Sequence, residues 1–289
     1  YTANAKDTQA PSKPTITRTD YNTFSYTATD NAGVTGYYVS TSSTTPTAAA
    51  PTSTFALDTW TTATSTGNLT LTSGTYYVWA RDAAGNISAS SGTIAAYTIS
   101  RSQGTGTSLT TRYDSTSSTG GTEFTSSTVM LNGTPIWAKS DANSGYNTAT
   151  LKHGSTSMTV TGASFTVSTN ETITSAATAN AAKITIKKDG SAYASQTVAL
   201  YQSGSSKYTS PSYSSGVYTF SAVANGTYDI YVGGTDTGTD VTVSNNSATA
   251  TINYYTLTLN KGTGISATSG AGTYLSGTKV SIGAIASTG

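Results

Sequence analysis

Cysteine is absent from the 289 residues of this chain, and histidine occurs once, as His153. The absence of cysteine excludes disulfide bonds, thiolate metal ligands and a cysteine nucleophile. One histidine without cysteine also argues against a zinc site, which needs three or four nitrogen, sulfur or oxygen ligands. A Ser-His-Asp triad would need every partner of His153 to come from another loop. We therefore expect His153 to be a turn residue before Gly154.

Charge is scarce and balanced. Charged residues make up 9% of the chain, and 14 Lys and Arg against 13 Asp and Glu leave a net charge of +1. Without a field of one sign, nothing steers the chain towards nucleic acid or an anionic membrane, and neither partner is expected. No apolar run approaches the roughly 20 residues that span a bilayer, so we predict no membrane insertion in this segment. The acidic residues form no recognisable glycosidase pair, so we predict no catalytic residue and no enzyme activity.

The residues that are abundant favour β-strands. The chain has 20 Tyr and 28 Gly, and Thr, Ser, Tyr and Val alternate along most of it. β-Branched and aromatic side chains fit a pleated, half-buried surface. In residues 76–80, Tyr76, Val78 and Ala80 share one face and Tyr77 and Trp79 the other, as expected of a central strand with Trp79 in the core. We predict an all-β fold of tandem β-sandwich modules in an extended array.

The first predicted module is residues 8–100. Its Leu71–Tyr76 segment is similar to a tyrosine corner, and residues 76–88 follow it as a strand and a turn. On these residues the module resembles fibronectin type III and bacterial Ig-like domains. The resemblance implies a β-sandwich of about 90 residues.

An internal repeat organises the rest of the chain. Residues 133–145 align with residues 277–289 at a constant offset of 144 (133 to 277, 145 to 289). The half-repeat that starts at Tyr255 resembles internalin-type B-repeat modules of bacterial surface proteins. We therefore predict B-repeat-like modules at residues 101–181 and 253–289, of which the second is the truncated start of a copy. Residues 1–7 are predicted to be the tail of a preceding repeat, because Thr2–Ala5 repeats the sequence of residues 178–181.

Residues 182–252 form the third predicted module. Their strand order resembles that of Cna B-type, or carboxypeptidase regulatory-like, sandwiches. In that family a lysine and an asparagine can form an isopeptide bond, and Lys187 or Lys188 with Asn253 would match those positions. The family's catalytic acid is replaced here by Val232. Without a group to transfer the proton, we predict no isopeptide cross-link.

Three aspartates are candidates for a calcium site. Asp7, Asp30 and Asp82 lie at a module edge or in turns, where oxygen ligands from several loops can converge. No D-x-D-x-D-G run is present, so Asx turns are the simpler interpretation. We expect no cofactor, with calcium at these three residues as the alternative.

Two tryptophans are candidates for ligand contacts. The repeat aligns Ile136 and Ala138 with Val280 and Ile282, which predicts a core face. Trp137 aligns with Ser281 on the other face and is predicted to point outward, where it would contact a neighbouring module or a ligand. Trp60, in a predicted loop, is the second candidate.

The function expected from these patterns is structural. A non-catalytic stalk or fibre segment of a secreted or cell-surface bacterial adhesin, whose partners are neighbouring modules, fits the small electroneutral modules. The chain does not begin with Met, and we expect an export signal to have been removed or to lie upstream. Two alternatives stay open: a module that binds a polysaccharide or a host surface protein, and the accessory domains of a large secreted hydrolase.

Overall fold

The computed structural model describes residues 5–288, in which the chain forms β-strands, turns and loops without a helix. The all-β fold class is therefore confirmed. No helix suited to crossing a membrane occurs in that range. Residues 1–4 of the predicted amino-terminal tail (residues 1–7), and Gly289 of the repeat, lie outside the described residues.

The strands of the first 179 residues are β1 (Thr15–Asp20), β2 (Thr23–Thr27), β3 (Val34–Ser40), β4 (Trp60–Thr61), β5 (Gly74–Asp82), β6 (Gly92–Gln103), β7 (Thr107–Tyr113), β8 (Thr122–Glu123), β9 (Thr128–Leu131), β10 (Pro135–Ala142), β11 (Tyr146–His153), β12 (Thr156–Met158), β13 (Ala163–Thr166) and β14 (Glu171–Ala179). The strands that follow are β15 (Ala181–Lys188), β16 (Ser191–Ala192), β17 (Val198–Gln202), β18 (Ser205–Tyr208), β19 (Ser212–Ser214), β20 (Val217–Ser221), β21 (Gly226–Val232), β22 (Thr235–Val243), β23 (Ala248–Leu257), β24 (Ile265–Ser269), β25 (Gly272–Leu275) and β26 (Gly283–Ala286).

The chain divides into two compact units. Of the described residues, unit 1 contains 5–104, 108–141 and 150–176, and unit 2 contains 105–107, 142–149 and 177–288. The finer module boundaries that the sequence suggests stay predictions.

Three sheets contain the strands of unit 1. Strands β1 and β2 pair with each other, and a four-stranded sheet has the order β13-β10-β7-β8. The largest sheet has the order β12-β11-β14-β6-β5-β3-β4, with β9 also paired to β6. Strand β14 runs parallel to β6, with Glu171 opposite Ile99. Because β5 lies between β3 and β6, the prediction of a central strand there is confirmed.

Two hydrophobic clusters form the core of unit 1. Tyr76 and Val78 of β5 belong to the first cluster, which Phe24 and Tyr26 of β2 complete from the facing sheet. The second cluster is built from the following members: Ile99, Leu109, Phe124, Met130, Ile136, Ala138, Leu151, Val167 and Ile173. Trp79 is buried, as predicted.

Unit 2 contains one large cluster and a smaller two-stranded sheet. Its main sheets have the orders β19-β20-β15-β23-β25, with β16 also paired to β15, and β18-β17-β21-β22, while β24 pairs with β26. Ile184 and Ile186 of β15 are fully buried in the cluster, and each contributes about 1.5–3 kcal/mol by leaving water. The β15–β16 hairpin turns on Asp189 and Gly190, whose φ angles of 51° and 84° suit a two-residue type I′ turn.

Candidate functional site

Three aspartates from separate parts of unit 1 converge at one end of the first core. Carboxylate oxygens of Asp7, Asp30 and Asp82 all lie within 4.8 Å of one another. Asp7 lies in the segment before β1, Asp30 follows β2, and Asp82 ends β5. The three aspartates that the sequence gives as the alternative calcium site therefore lie close together. Calcium binding at these residues stays a prediction.

Asp82 is the most enclosed of the three and is held by the turn that follows it. Its side chain is fully buried. The backbone N–H of Asn86 donates to Asp82 Oδ1 at 2.9 Å, and Asn86 Nδ2 donates to Asp82 Oδ2 at 2.6 Å. The same Nδ2 lies 3.1 Å from the carbonyl oxygens of Asp7 and Gln9. Asn86 therefore fixes Asp82 and ties the amino-terminal segment to it.

Asp7 and Asp30 are oriented by turns of their own. Asp7 Oδ1 accepts the N–H of Gln9 at 3.0 Å, and Asp30 Oδ2 accepts the N–H of Ala32 at 2.8 Å. One end of the Asn31 amide lies 3.3 Å from Asp7 Oδ1 and the other lies 3.2 Å from both carboxylate oxygens of Asp30. Asp7 Oδ2 is out of contact with solvent and has no hydrogen-bond partner. An enclosed carboxylate oxygen without a donor is costly unless something else compensates its charge.

The electrostatics of the cluster are set by burial, hydrogen bonds and the proximity of the three carboxylates. Burial raises the pKa of Asp82, but hydrogen bonds from the Asn86 side chain and from the backbone of Asn86, Gly85 and Ala84 outweigh it and hold that pKa below its ordinary value. Two carboxylates 4.8 Å apart repel by about 3 kcal/mol at an effective dielectric constant of about 20. Among the ion pairs of residues 5–288, none involves Asp7, Asp30 or Asp82.

The donor set suits calcium better than zinc. Calcium takes six to eight oxygen ligands in flexible geometry, and carboxylates and amide carbonyls are typical ones. Asp7, Asp30 and Asp82 supply carboxylate oxygens, and the Asn31 amide lies beside two of them. The cluster contains no histidine or cysteine, which disfavours zinc. A bound Ca²⁺ would compensate both the repulsion and the unpaired oxygen of Asp7.

The outward orientation predicted for Trp137 is wrong. Its side chain is only 7% exposed. A Cβ placed on Gly162, in the turn before β13, would lie 2.6 Å from Cζ2 of Trp137, so this glycine packs directly on the indole. The alternation along β10 correctly predicts that Ile136 and Ala138 are buried. The turn that covers the opposite face comes from about 25 residues further along the chain, and the strand pattern carries no signal for it.

Trp60 is not an exposed loop residue either. It starts the short strand β4, is 2% exposed, and its Nε1 donates to the carbonyl of Thr47 at 2.8 Å. The guanidinium of Arg81 lies 5.8 Å from the centre of its ring, which adds a cation–π contact. Because the loop that carries Thr47 folds back over it, neither tryptophan candidate offers an open face to a ligand.

His153 has a partner that the sequence did not indicate. It ends β11 instead of lying in a turn, and its Nδ1 lies 2.6 Å from Oε2 of Glu171, which starts β14. The imidazole stacks on Phe165 with ring centres 4.4 Å apart. Beside Glu171 is an open groove of about 460 Å³, lined mainly by the polar residues Thr98, Ser100, Asn170, Thr172 and Thr174. In the sequence, His153 ends one strand and Glu171 begins another. Their contact could be predicted only if the order of these strands in the sheet were known.

The residues considered for a cross-link lie side by side. In the parallel pair β15–β23, Lys187 is opposite Asn253 and Lys188 is opposite Tyr254. Lys187 is exposed, whereas a proton-transfer reaction of this type needs an enclosed acid beside the amine. Val232, at the position of that acid, is buried. The absence of an isopeptide bond stays a prediction, and a loss of one ammonia in the intact mass would contradict it.

Comparisons with known proteins add little to this geometry. No family model and no curated protein matches the chain. A solved structure described as "The Bacillus anthracis TIE protein" is similar with a TM-score of 0.27 and 11% identity, over 84% of this chain and 56% of that one. The chain thus spans little more than half the length of that protein, and a superposition this loose supports no functional inference.

Proposed function

We propose that this chain is a non-catalytic structural segment of a secreted or cell-surface protein, in which β-sandwich modules follow one another as the units of a stalk or fibre. The observation that carries the proposal is that each hydrophobic cluster closes within one unit. The two clusters of unit 1 and the cluster of unit 2 share no residue. Each domain of a multidomain protein has its own hydrophobic core. Stalks and fibres are built from such domains in series.

The surface chemistry also supports a structural role. The chain carries 9% charged residues and a net charge of +1, so it would attract neither polyanions nor polycations. The groove of about 460 Å³ beside Glu171 is open and is lined mainly by threonine, serine and asparagine. An enzyme site would be expected to gather several titratable groups in a concave apolar pocket. His153 contacts Glu171 through a hydrogen bond and Phe165 through ring stacking. Neither of these two residues is the serine, cysteine or threonine nucleophile that a catalytic histidine would activate.

We further propose that calcium stabilises the first module through Asp7, Asp30 and Asp82. The buried carboxylate of Asp82 and the unpaired Oδ2 of Asp7 favour this over a set of independent Asx turns. In a structural segment, such a site would connect the segment before β1 to the turns that follow β2 and β5. This would make the amino-terminal end of the module more rigid.

Calorimetry of the whole chain, with and without calcium, tests the structural proposal. Independent cores should melt in at least two transitions. A single two-state transition whose calorimetric and van't Hoff enthalpies agree would contradict it. Binding of the intact chain to a glycan array would favour the ligand-binding alternative. A catalytic domain in the same reading frame would favour the hydrolase alternative.

A further inference from the structure

The charges of unit 2 are separated between its two large sheets, although the net charge of the chain gives no sign of this. The strands of the β18-β17-β21-β22 sheet carry Asp229, Asp236, Asp240 and one cation, Lys207. The strands of the sheet that contains β15 carry three lysines and no acidic residue. Three Asp and one Lys give a net charge of −2 on the first sheet, and three Lys give +3 on the second. The two sheets enclose one hydrophobic cluster between them.

Two of the aspartates are opposed on the solvent side of their sheet. Asp229 of β21 is directly opposite Asp240 of β22, and the Cβ atoms of such a pair lie about 5 Å apart. The residues that follow them, Ile230 and Val241, are buried, so both carboxylates point away from the core. Among residues 5–288, no ion pair involves either carboxylate. Like charges at opposed positions destabilise a sheet unless a cation compensates them.

Two tyrosines lie beside these carboxylates. The rings of Tyr201 and Tyr231 stack with their centres 3.9 Å apart and an interplanar angle of 20°. Tyr201 is opposite Asp229, and Tyr231 is opposite Asp236. Desolvation and the charges of Asp236 and Asp229 raise the pKa of the Tyr231 hydroxyl. Because each ring covers one face of the other, the pair is not a flat platform for a sugar ring. The acidic face is defined by these two tyrosines with Asp229, Asp236 and Asp240.

Two lysines point to solvent from the opposite sheet. Lys183 and Lys187 of β15 are exposed and alternate with buried isoleucines. They are separated by about 13 Å along the strand. Small side chains lie between and beside them, those of Thr185, Thr249 and Thr251. In the described part of the chain, neither lysine forms an ion pair. The basic face is defined by these five residues.

The other charges next to this sheet have partners within the module. Lys188 Nζ lies 5.7 Å from the centre of the Tyr193 ring, a cation–π contact. Asp189, in the turn after β15, accepts hydrogen bonds from the N–H and the hydroxyl of Thr256 at 2.8 and 2.6 Å. The basic face therefore offers its two lysines to an acidic surface from outside the module.

We propose that the acidic face of one copy of this chain binds the basic face of a second copy, so that modules pack side by side. The carboxylates of Asp229 and Asp240 accept hydrogen bonds from the ammonium groups of Lys183 and Lys187. The tyrosine pair contacts the apolar stems of the lysines. A second copy relieves the repulsion between the two aspartates and supplies a surface of opposite charge. The inference goes beyond the proposed stalk or fibre and does not depend on it.

The contact joins two different surfaces, and this determines the kind of assembly. Each added copy leaves one acidic and one basic face free, and such contacts build open rows unless they close into a ring. The two faces belong to the two sheets of one sandwich, so each sandwich has a neighbour on both of its sides. In a stalk or fibre, this contact would join neighbouring segments laterally.

Charge reversal on each face tests this contact in the complete chain. Sedimentation equilibrium from micromolar to millimolar protein measures self-association, in EGTA so that calcium plays no part. We expect association to weaken at least about tenfold as the Debye length falls from about 30 Å at about 0.01 M salt to about 10 Å at about 0.1 M. Asp229→Lys with Asp240→Lys should abolish association, because both faces are then basic. Lys183→Glu with Lys187→Glu should also abolish it, because both faces are then acidic.

A fourfold variant that combines both reversals separates the contact from a general effect of charge. Its two faces are exchanged and its net charge stays +1, so it should associate as the original chain does. The matched control is Lys13→Glu with Lys152→Glu, which reverses two exposed lysines of unit 1. It changes the net charge as much as the reversal of the basic face does, and it should leave association intact.

Each result decides for or against the second copy. A chain that stays monomeric at low salt would overturn the proposal, as would association that survives either reversal or a folded fourfold variant that stays monomeric. If the monomeric chain bound a lysine-rich peptide through Asp229 and Asp240, the acidic face would take a different protein and the proposal would also be wrong. Loss of association with each reversal and its recovery in the fourfold variant would establish the contact.

Circular dichroism shows whether each variant is folded. Should a reversal unfold the chain, neutral substitutions test the same contact. Asp229→Asn with Asp240→Asn, and Lys183→Gln with Lys187→Gln, should each weaken association. Unchanged association in both neutral variants would overturn the proposal.

Discussion

Asn86 Nδ2 donates to Asp82 Oδ2 at 2.6 Å, and the same nitrogen reaches the carbonyl of Asp7 at 3.1 Å. One amide thus connects the buried end of β5 with the segment that enters the first sandwich. Gly85, at φ 91°, permits the chain reversal that brings Asn86 back onto Asp82. The carboxylates around this junction then face one another.

Calcium should stabilise the chain through this junction. Ca²⁺ in excess over its dissociation constant by a factor of 100 would add about 2.7 kcal/mol to the free energy of unfolding of the first module. Asp30→Asn should abolish that gain. In metal-free buffer the same substitution should be neutral or stabilising, because it removes repulsion between carboxylates. Thermal melting in EGTA and in millimolar calcium measures both effects.

The matched control is Asp240→Asn, which removes an exposed carboxylate in unit 2. It should leave the response to calcium intact. Equal melting temperatures in EGTA and in calcium would rule out the site, as would a calcium response that survives Asp30→Asn.

Acid should weaken the first module through Asp82. The hydrogen bonds from Asn86 lower the pKa of Asp82 in the folded protein, while an unfolded aspartate titrates near about 3.9. The folded state therefore binds fewer protons than the unfolded state in this range. Its stabilisation is fully present above the unfolded pKa and is lost as the pH falls through the folded pKa.

Urea unfolding of the metal-free protein measures this loss. The free energy of unfolding is compared at neutral pH, at the pKa of the unfolded aspartate and at lower pH. The Asp82→Asn variant should start less stable and show a flatter dependence on pH. A wild-type profile and a variant profile that run parallel would show that another group is responsible.

The alternation of side chains along a strand predicts which residues face the core. It does not predict which outward-facing residues are covered by segments distant in the sequence. Alternation along β5 correctly predicts that Tyr76 and Trp79 are buried. The sequence offers the three aspartates as a calcium site only as an alternative to separate Asx turns, because their proximity depends on how distant loops pack. The alternation along β10 gives the wrong environment for Trp137, because a turn that contains Gly162 and lies about 25 residues further along the chain covers its side chain. The pairing of His153 with Glu171 depends on strand order within a sheet, which no local pattern encodes.

Trp137→Ala should destabilise unit 1 and not merely alter its surface. Removing a buried indole leaves a cavity that costs about 3–5 kcal/mol. Tyr213→Ala, at a position that is 45% exposed, is the control and should change stability by less than about 1 kcal/mol. Denaturant unfolding followed by circular dichroism compares them. Because all three tryptophans are buried, acrylamide should quench the native fluorescence weakly, and strong quenching would contradict the burial of Trp60 and Trp137.

A tyrosine hydroxyl bonded to the backbone four residues upstream occurs in both units. Thr72 N donates to Tyr76 Oη at 2.8 Å, and the hydroxyls of Tyr228 and Tyr274 donate to the carbonyls of Ala224 and Gly270 at 2.9 Å each. The corner predicted from Leu71–Tyr76 therefore has the expected hydrogen bond. Each bond fastens the loop before a strand to the strand itself.

Tyr76→Phe should lower the free energy of unfolding of unit 1 by about 1 kcal/mol. The ring of Tyr76 stays in the core, so the change removes only the hydroxyl, and Thr72 is exposed enough for water to replace part of the lost bond. Tyr255→Phe removes the hydroxyl of a side chain that is 53% exposed and should have no measurable effect. Urea unfolding of the two variants compares them directly. Equal stabilities would mean that the loop is held by packing alone, and a loss above about 3 kcal/mol would mean that the phenylalanine disturbs the core.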